Sequence, residues 1–272
     1  MESRILSPAE VVDAYAAAGA KKCAKPALPT FLLAIVAGML IAFAGAATNT
    51  GAHSAATVGA VRTICAVFFP FGLGMVILTG AELFTGNSLI VISVLEKKAT
   101  AARMLRNWAI VYVGNFIGSL LVAAGCAYFG QLNYSSGALA VFTMKLAAGK
   151  CTLSFGSGLV LGILCNVLVC LGVLCAMTAR DTTGKILGAF LPVALFVLCG
   201  FEHSIANMFY VPAGLFAKSI PAYAALAAEA GLDLSALTWG NFLLHNLLPV
   251  TVGNILGGAG IGILLWYGHR AK

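Results

Sequence analysis

Residues 200–207 read Gly-Phe-Glu-His-Ser-Ile-Ala-Asn, which places an acid and an imidazole in the middle of a long apolar run. A titratable side chain at the centre of a membrane helix costs about 2.5–3.5 kcal/mol on insertion scales, so such groups usually face a cavity or a partner. Residues 80–87 read Gly-Ala-Glu-Leu-Phe-Thr-Gly-Asn and repeat the same spacing of glycine, glutamate and asparagine. The two stretches, here called the glutamate motifs, therefore predict two related interruptions of membrane helices.

The composition is that of an integral membrane protein. Of 272 residues, 61% are hydrophobic and only 9% are charged, with a mean hydropathy of +0.99. The apolar runs do not alternate over about ten residues as barrel strands do, so they indicate membrane-spanning helices. The net charge of +7 lies mostly in short loops. It therefore reports membrane orientation and contact with anionic lipid, and no nucleic-acid partner is expected.

Residues 1–28 are predicted to form a cytoplasmic amphipathic helix ahead of a single transmembrane domain, residues 29–272. The segment Ser7–Glu10 has the form of a capping box with proline at the first helical position, and the helix should end near Lys25 and Pro26. One face of this helix carries Val11, Val12, Tyr15 and Ala18. It should lie along the membrane or pack on the bundle.

Six membrane spans are predicted, at residues 29–48, 59–95, 106–129, 154–178, 185–217 and 240–267. About 20 residues cross the hydrocarbon core, so the second and fifth spans are too long for one crossing. Each contains a glutamate motif near its middle, and both are interpreted as broken helices. With the N-terminus in the cytoplasm, twelve lysines and arginines lie inside and four outside. This distribution follows the positive-inside rule and predicts that both termini are cytoplasmic.

The two halves of the chain, about residues 29–130 and 151–268, read as a repeat. Three pairs of segments match in the same order, one pair for each span: residues 34–40 with 158–164, the two glutamate motifs, and Arg106–Gly118 with His245–Gly257. Because each half contains three spans, the second half must enter the membrane with the opposite orientation. Solute sites in such inverted repeats lie near the midplane, where the broken helices meet.

Each break exposes backbone amides and carbonyls at membrane depth, which protein or water must satisfy. Glu82 and Glu202 are interpreted as structural braces. Their carboxylates are expected to accept hydrogen bonds from exposed amides of the interrupted backbone or from a partner such as His203, while Asn87 and Asn207 bond other exposed groups.

His203 is the one intramembrane group able to exchange a proton near neutral pH, because the unperturbed pKa of histidine is about 6.5. Its place at a break predicts contact with a solute or proton exchange. Thr85, in the other break, offers a hydroxyl suited to a small oxyanion, although the same hydroxyl could instead cap the following half-helix. The eight cysteines include no Cys-x-x-Cys pair, so no metal site and no cofactor is predicted.

These segments resemble the signatures of the formate/nitrite transporters, a family of pentameric channels with an aquaporin-like fold. The resemblance covers nearly the whole chain and rests on residues 200–208, 81–86 and 161–166. It implies that His203 is the central pore histidine and Thr85 the threonine of the second span. Lys150, in preference to Lys145, would be the lysine near the extracellular vestibule, and Asn166 would also belong to the pore. Constrictions on either side of the histidine would be formed by Phe69, Leu73, Phe84, Val169 and Phe196.

The resulting hypothesis is a channel or proton-coupled permease for small monovalent anions of weak acids, with formate first and protons as a second partner. Lys150 would concentrate the anion at the mouth, and His203 with Thr85 would protonate or hydrogen-bond it between the constrictions. Nitrite and hydrosulfide fit the same residues and stay open. The resemblance further implies a homopentamer in a bacterial-type inner membrane.

Two other classes of protein fit the sequence less well. A neutral-solute pore of the aquaporin type would be expected to carry Asn-Pro-Ala at its breaks, and neither break has it. An enzyme is not expected, because the chain contains no His-Glu-x-x-His and no Gly-x-Ser-x-Gly motif.

Overall fold

The computed structural model describes residues 5–270, and every regular element in that range is a helix. The first half contains seven helices, two of them shorter than six residues: α1 (Pro8–Ala24), α2 (Ala27–Ala52), α3 (Val58–Phe68), α4 (Pro70–Thr79), α5 (Phe84–Asn87), α6 (Val91–Leu95) and α7 (Ala101–Tyr128). A 3-10 turn at Ser88–Ile90 joins α5 to α6. Residues 80–83, between α4 and α5, form the first break.

The second half follows a 3-10 turn at Gln131–Asn133. Its helices are α8 (Ala138–Cys151), α9 (Phe155–Thr178), α10 (Thr182–Cys199), α11 (Ser204–Lys218), α12 (Pro221–Glu229), α13 (Trp239–Asn241) and α14 (Leu248–Arg270). A π-helical segment at Phe242–Leu247 joins α13 to α14. Residues 200–203, between α10 and α11, form the second break.

The prediction of an all-helical membrane protein with six spans, the second and fifth of them broken, is confirmed. Between residues 5 and 270, six helices are long and apolar enough to cross a membrane, and α11 with α12 would be a seventh if that bent pair were counted as one span. The two breaks fall at the glutamate motifs. The inverted orientation of the two halves and the likeness to aquaporins stay predictions.

Two helices, α8 and α12, lie between predicted spans, in segments for which the hydropathy pattern predicts no membrane crossing. Both are shorter than a membrane span and rich in alanine, so hydropathy alone does not separate them from the loops. α12 turns away from α11 by 94°. Pro221 stands at its first turn, where a proline without an N–H is tolerated and begins a new helix.

α1 packs on the helical bundle, which is one of the two locations predicted for it. Its capping box is confirmed: Glu10 N–H donates to Ser7 Oγ at 3.4 Å, and Ser7 N–H donates to Glu10 Oε2 at 2.8 Å. Val11, Val12 and Tyr15 are buried in a cluster with side chains of the 3-10 turn, α6 and α9. α1 is therefore held by its apolar face against both halves of the chain.

The register between the first and fourth spans differs from the predicted one. A Cβ on Gly118 would overlap the carbonyl oxygen of Ile35, and a Cβ on Gly257 would overlap the carbonyl oxygen of Ile163. These equivalent contacts pair residue 35 with residue 163, whereas the predicted repeat pairs it with residue 159. The predicted register was wrong by four residues, about one helical turn, because small aliphatic residues recur at every turn and match at several offsets.

The close approach of α14 to α9 gives a test of the packing. Gly257→Ala places a methyl group against the Ile163 carbonyl, and we expect it to lower the free energy of unfolding by about 1–3 kcal/mol through overpacking. Gly260→Ala is the matched control on the same helix, since a Cβ there meets no atom within 4 Å. Thermal unfolding of the two detergent-purified variants checks this, and equal stability of both would contradict the packing.

Candidate functional site

Each break begins with a glycine in the left-handed region that ends the preceding helix. Gly80 has φ of 68° and Gly200 has φ of 73°. The N–H of the next residue then bonds back into the helix, from Ala81 to the Val76 carbonyl at 3.1 Å and from Phe201 to the Phe196 carbonyl at 3.0 Å. Glycine is needed at both places because L side chains rarely adopt this backbone conformation.

One asparagine clamps the first break from the neighbouring span. Asn115, on α7, accepts the Phe84 N–H at 2.9 Å through Oδ1. Its amide nitrogen donates to the Ala34 carbonyl at 2.7 Å and to the Glu82 carbonyl at 2.9 Å. The Phe84 N–H and the Glu82 carbonyl are backbone groups freed by the break, whereas the Ala34 carbonyl belongs to the continuous helix α2. Asn115 therefore satisfies two groups of the break and ties the break to α2.

Asn254, on α14, clamps the second break in the same way. It accepts the Ser204 N–H at 2.8 Å and donates to the Gly162 and Glu202 carbonyls at 2.8 and 3.0 Å. Asn115 and Asn254 were matched in the sequence as members of a repeat, and the structure shows what the matching residues do. Both side chains are fully buried.

The two buried glutamates accept from side chains, as one predicted alternative had it, but the partners are lysines and not His203 or the interrupted backbone. Asn87 and Asn207, which were predicted to bond other exposed groups, donate to these carboxylates. Glu82 accepts from Lys22 at 2.7 Å, from Lys25 at 2.9 Å and from Asn87 at 2.9 Å.

Amides of the first break have other acceptors, since the Phe84 N–H donates to Asn115 and the Glu82 N–H donates to the Leu33 carbonyl at 3.2 Å. The carboxylate of Glu82 is left to pair with cations. The prediction that Glu82 acts as a brace stays a proposal, supported by the three bonds to its carboxylate.

Glu202 has one lysine where Glu82 has two. Lys150 donates to both of its carboxylate oxygens, at 2.9 and 3.0 Å, and Asn207 donates to Oε2 at 2.6 Å. The Lys150 ammonium also lies 5.6 Å from the centre of the Tyr210 ring. Since its partner carries an equal and opposite charge, Lys150 adds no net charge at this end of the site.

In each half, two asparagines in a chain of hydrogen bonds reach the backbone carbonyl of a lysine. Asn87 donates to Asn107 at 2.9 Å, and Asn107 in turn donates to the Lys22 carbonyl at 3.5 Å. Asn207 and Asn246 repeat this chain onto the Lys150 carbonyl, at 2.8 and 3.1 Å. The last turns of α1 and α8 therefore occupy equivalent places beside the two breaks.

His203 is the N-cap of α11, and this fixes its tautomer. The Ala206 N–H donates to Nδ1 at 3.0 Å. A ring nitrogen that accepts carries no proton, so the proton of the neutral ring lies on Nε2. Nε2 stands 3.0 Å from Thr85 Oγ1 and donates to it. The structure thus brings together the two polar side chains that the sequence placed in separate breaks.

Two of the predicted constriction residues cover one side of the imidazole. The ring of Phe196 stacks on His203 at 5.9 Å, and the ring of Phe69 meets it edge-on at 6.4 Å. Phe69 and Phe196 also contact each other at 5.9 Å. Together they make an apolar layer over the imidazole.

The other three predicted constriction residues are buried at α4, α5 and α9. Leu73 lies against Gly172, one turn along α9 from Val169. Phe84 packs its ring against Tyr112 at 4.8 Å. Their role as constrictions stays a proposal.

Asn166 bridges the two halves of the site. Its amide nitrogen donates to the Thr85 carbonyl at 3.1 Å and to the Asn254 carbonyl at 2.6 Å, while its Oδ1 has no partner among the described residues. Asn166 thereby fixes the backbone that carries the Thr85 hydroxyl. Its predicted contact with a solute stays a proposal.

Several residues of the site were not predicted as functional. They are Lys22, Lys25, Asn107, Asn115, Tyr210, Asn246 and Asn254. The asparagines could have been found, because an amide inside an apolar span needs hydrogen-bond partners and four of them match between the halves. Tyr210, whose hydroxyl bonds Thr48 at 2.8 Å, carried no signal beyond its apolar surroundings.

The chain is similar to known proteins over nearly its whole length. A family model described as formate/nitrite transporter matches residues 9–268. The chain belongs to this family. It is 37% identical to a probable formate transporter of Methanothermobacter thermautotrophicus, over 98% of each chain. It is 36% identical to the formate channel FocA of Escherichia coli K12, over 96% of this chain and 94% of FocA.

A solved structure agrees with the family. A pentameric formate channel with formate bound superposes with a TM-score of 0.79 at 35% identity, covering 89% of this chain and 96% of that one. The family consists of channels and transporters. This formate/nitrite transporter is accordingly a multi-pass membrane protein that moves solutes and is not an enzyme.

The clamping asparagines yield a stability prediction. Asn254→Asp keeps the acceptor for Ser204 N–H but removes both donors, and it sets a negative charge against two buried carbonyls. We expect the free energy of unfolding to fall by about 2 kcal/mol or more, since each lost donor costs about 1 kcal/mol at least. Thermal unfolding of the detergent-purified variant measures this loss of stability.

Asn133→Asp is the matched control. Asn133 is exposed and uses Oδ1 only to accept from the Tyr223 hydroxyl at 2.7 Å, which an aspartate also does. A transition temperature as low as that of the Asn254 variant would show that the loss is general to Asn→Asp changes and that the clamp is not the cause.

Proposed function

We propose that this protein is a channel for formate and related small monovalent anions of weak acids. The observation that carries the proposal is the His203–Thr85 pair, in which two hydrogen-bonding side chains from opposite breaks face each other at 3.0 Å under aromatic rings. A relative named as a probable formate transporter, the formate channel FocA and a solved formate channel with formate bound support formate as the first candidate.

The apolar layer explains why a polar pair is needed at this depth. A bare anion passing between Phe69 and Phe196 leaves water for a medium in which several kcal/mol of solvation are lost. The Nε2–H of His203 and the hydroxyl of Thr85 can both donate to an oxyanion there. In this proposal, the anion replaces the hydrogen bond between His203 and Thr85 and accepts a hydrogen bond from each of them.

The geometry favours hydrogen bonding over storage of a proton on His203. An imidazolium would carry a proton on Nδ1 as well, and that proton would face the Ala206 N–H that Nδ1 now accepts. Protonation therefore requires loss of the α11 cap. We propose that neutral His203 donates to the anion, with proton exchange as the alternative that the pH dependence of flux decides.

We further propose that the protein works as a homopentamer in a bacterial-type inner membrane, with both termini in the cytoplasm. The pentameric solved structure supports the assembly. Large exposed apolar side chains on the spans, such as Leu121, Leu195 and Leu264, fit contact with lipid or with a neighbouring subunit.

Flux through proteoliposomes tests the function. We expect the purified protein to carry formate well above empty liposomes and to leave glycerol behind. Nitrite and hydrosulfide measured in the same vesicles rank the other anions of the family. Glycerol flux with no formate flux would overturn the proposal in favour of a neutral-solute pore.

Substitutions of His203 separate its cap from its anion contact. His203→Asn keeps an acceptor for the Ala206 N–H but falls short of Thr85, whereas His203→Phe loses both. We expect both variants to lose most formate flux, and the Phe variant alone to lose about 0.5–2 kcal/mol of stability with the cap. Formate flux between pH 5 and 8, together with thermal scans, measures both effects.

The pH profile of the Asn variant decides between the two roles. If the formate flux of His203→Asn equalled that of the wild type at every pH, the proposed contact between His203 and the anion would be wrong. If only its pH dependence disappeared, His203 would be an exchanger of protons.

A further inference from the structure

The ion pair between Lys150 and Glu202 leaves no net positive charge beside the second break. Glu82 is shared by Lys22 and Lys25, so that cluster keeps one net positive charge. Glu202 is matched by Lys150 alone, so the corresponding cluster is neutral. A cation near Lys150 that has no acid partner would therefore add to the attraction of anions on this side.

Arg62, on α3, is a cation of this kind and lies beside the second break. Its guanidinium nitrogens lie 2.9 Å from the position that a Cβ on Gly200 would take, at the start of the second break. Gly200 is two residues from Glu202 and three from His203. The arginine is exposed, and no ion pair or side-chain hydrogen bond binds it within residues 5–270.

The position of Arg62 along its helix connects it to the covered imidazole. Arg62 precedes Phe69 by seven residues, which is about two turns and about 10 Å along one face of the helix. Phe69 meets the edge of the His203 ring and stacks with Tyr210 at 6.5 Å. Arg62 therefore lies about two helical turns from the aromatic layer, toward the N-terminal end of α3.

We propose that Arg62 captures the permeating anion at the mouth beside Lys150, ahead of the layer formed by Phe69 and Phe196. This rests on the proposed anion function. A guanidinium presents parallel N–H groups that match the two oxygens of a carboxylate, and as a free cation it raises the local concentration of anions. Lys150, held by Glu202, then serves as a hydrogen-bond donor inside the mouth.

The competing explanation is structural. A cation beside the C-terminal end of α10 also favours the helix dipole, and Arg62 could act only there. The two explanations differ in a measurable way, because attraction of an anion depends on ionic strength and acts on the apparent KM, whereas support of α10 acts on stability.

The test is the apparent KM for formate in proteoliposomes at low and high ionic strength. We expect Arg62→Gln to raise KM about threefold or more at low ionic strength, and the difference from wild type to disappear in high salt as the charge is screened. Arg62→Lys keeps the charge and should recover most of the low-salt affinity. Lys145→Gln is the matched control, since it removes an exposed lysine of α8 and should leave KM unchanged.

The outcomes are separable. A wild-type protein that carries no formate would defeat the proposed function itself. Normal wild-type flux with an unchanged KM for Arg62→Gln would overturn only the capture role. A lower transition temperature for Arg62→Gln that Arg62→Lys restores, with a KM that does not respond to salt, would assign Arg62 to support of α10 and would also overturn the capture role.

Discussion

The fold depends on satisfying the backbone where two membrane helices are interrupted. Each break frees amides and carbonyls that water cannot reach, and one buried asparagine from another span bonds one such amide and one such carbonyl, together with a carbonyl of a continuous helix. Asn115 and Asn254 form the same three kinds of bond in the two halves. Because the Thr85 and His203 side chains project from segments that these asparagines hold, the geometry of the site follows from backbone hydrogen bonding.

The buried carboxylates, like the backbone groups of the breaks, need partners inside the protein. A lone carboxylate at this depth would be too costly, so each glutamate is paired with lysine and bonded by asparagine. The lysines come from α1 and α8, two helices that do not cross the membrane but end beside the breaks. The N-terminal helix is thus bound to the first break by side chains, through Lys22, Lys25 and the Tyr15 hydroxyl on the Gly86 carbonyl at 2.9 Å.

The sequence predicted the elements whose energetic cost is visible in a single segment. Apolar runs too long for one crossing located the broken spans, and acids inside those runs located the breaks. The partners of these acids were not predictable in the same way, since Lys22 and Lys150 lie 60 and 52 residues from their glutamates in segments outside the spans. The register of the first and fourth spans also escaped, because it is set by glycines packed against backbone at positions that composition does not distinguish.

The two halves differ most at one equivalent position, and that difference has a structural cause. Leu83 and His203 are the N-caps of the helices that follow the breaks, but Leu83 forms no side-chain cap and precedes a helix of only four residues. His203 caps a helix of 15 residues. Its Nδ1 is committed to that helix, so only Nε2 is free to meet Thr85 or a solute. The cap of α11 therefore keeps a neutral, oriented N–H donor at the centre of the site, whereas the side chain of the equivalent Leu83 offers no hydrogen-bonding group.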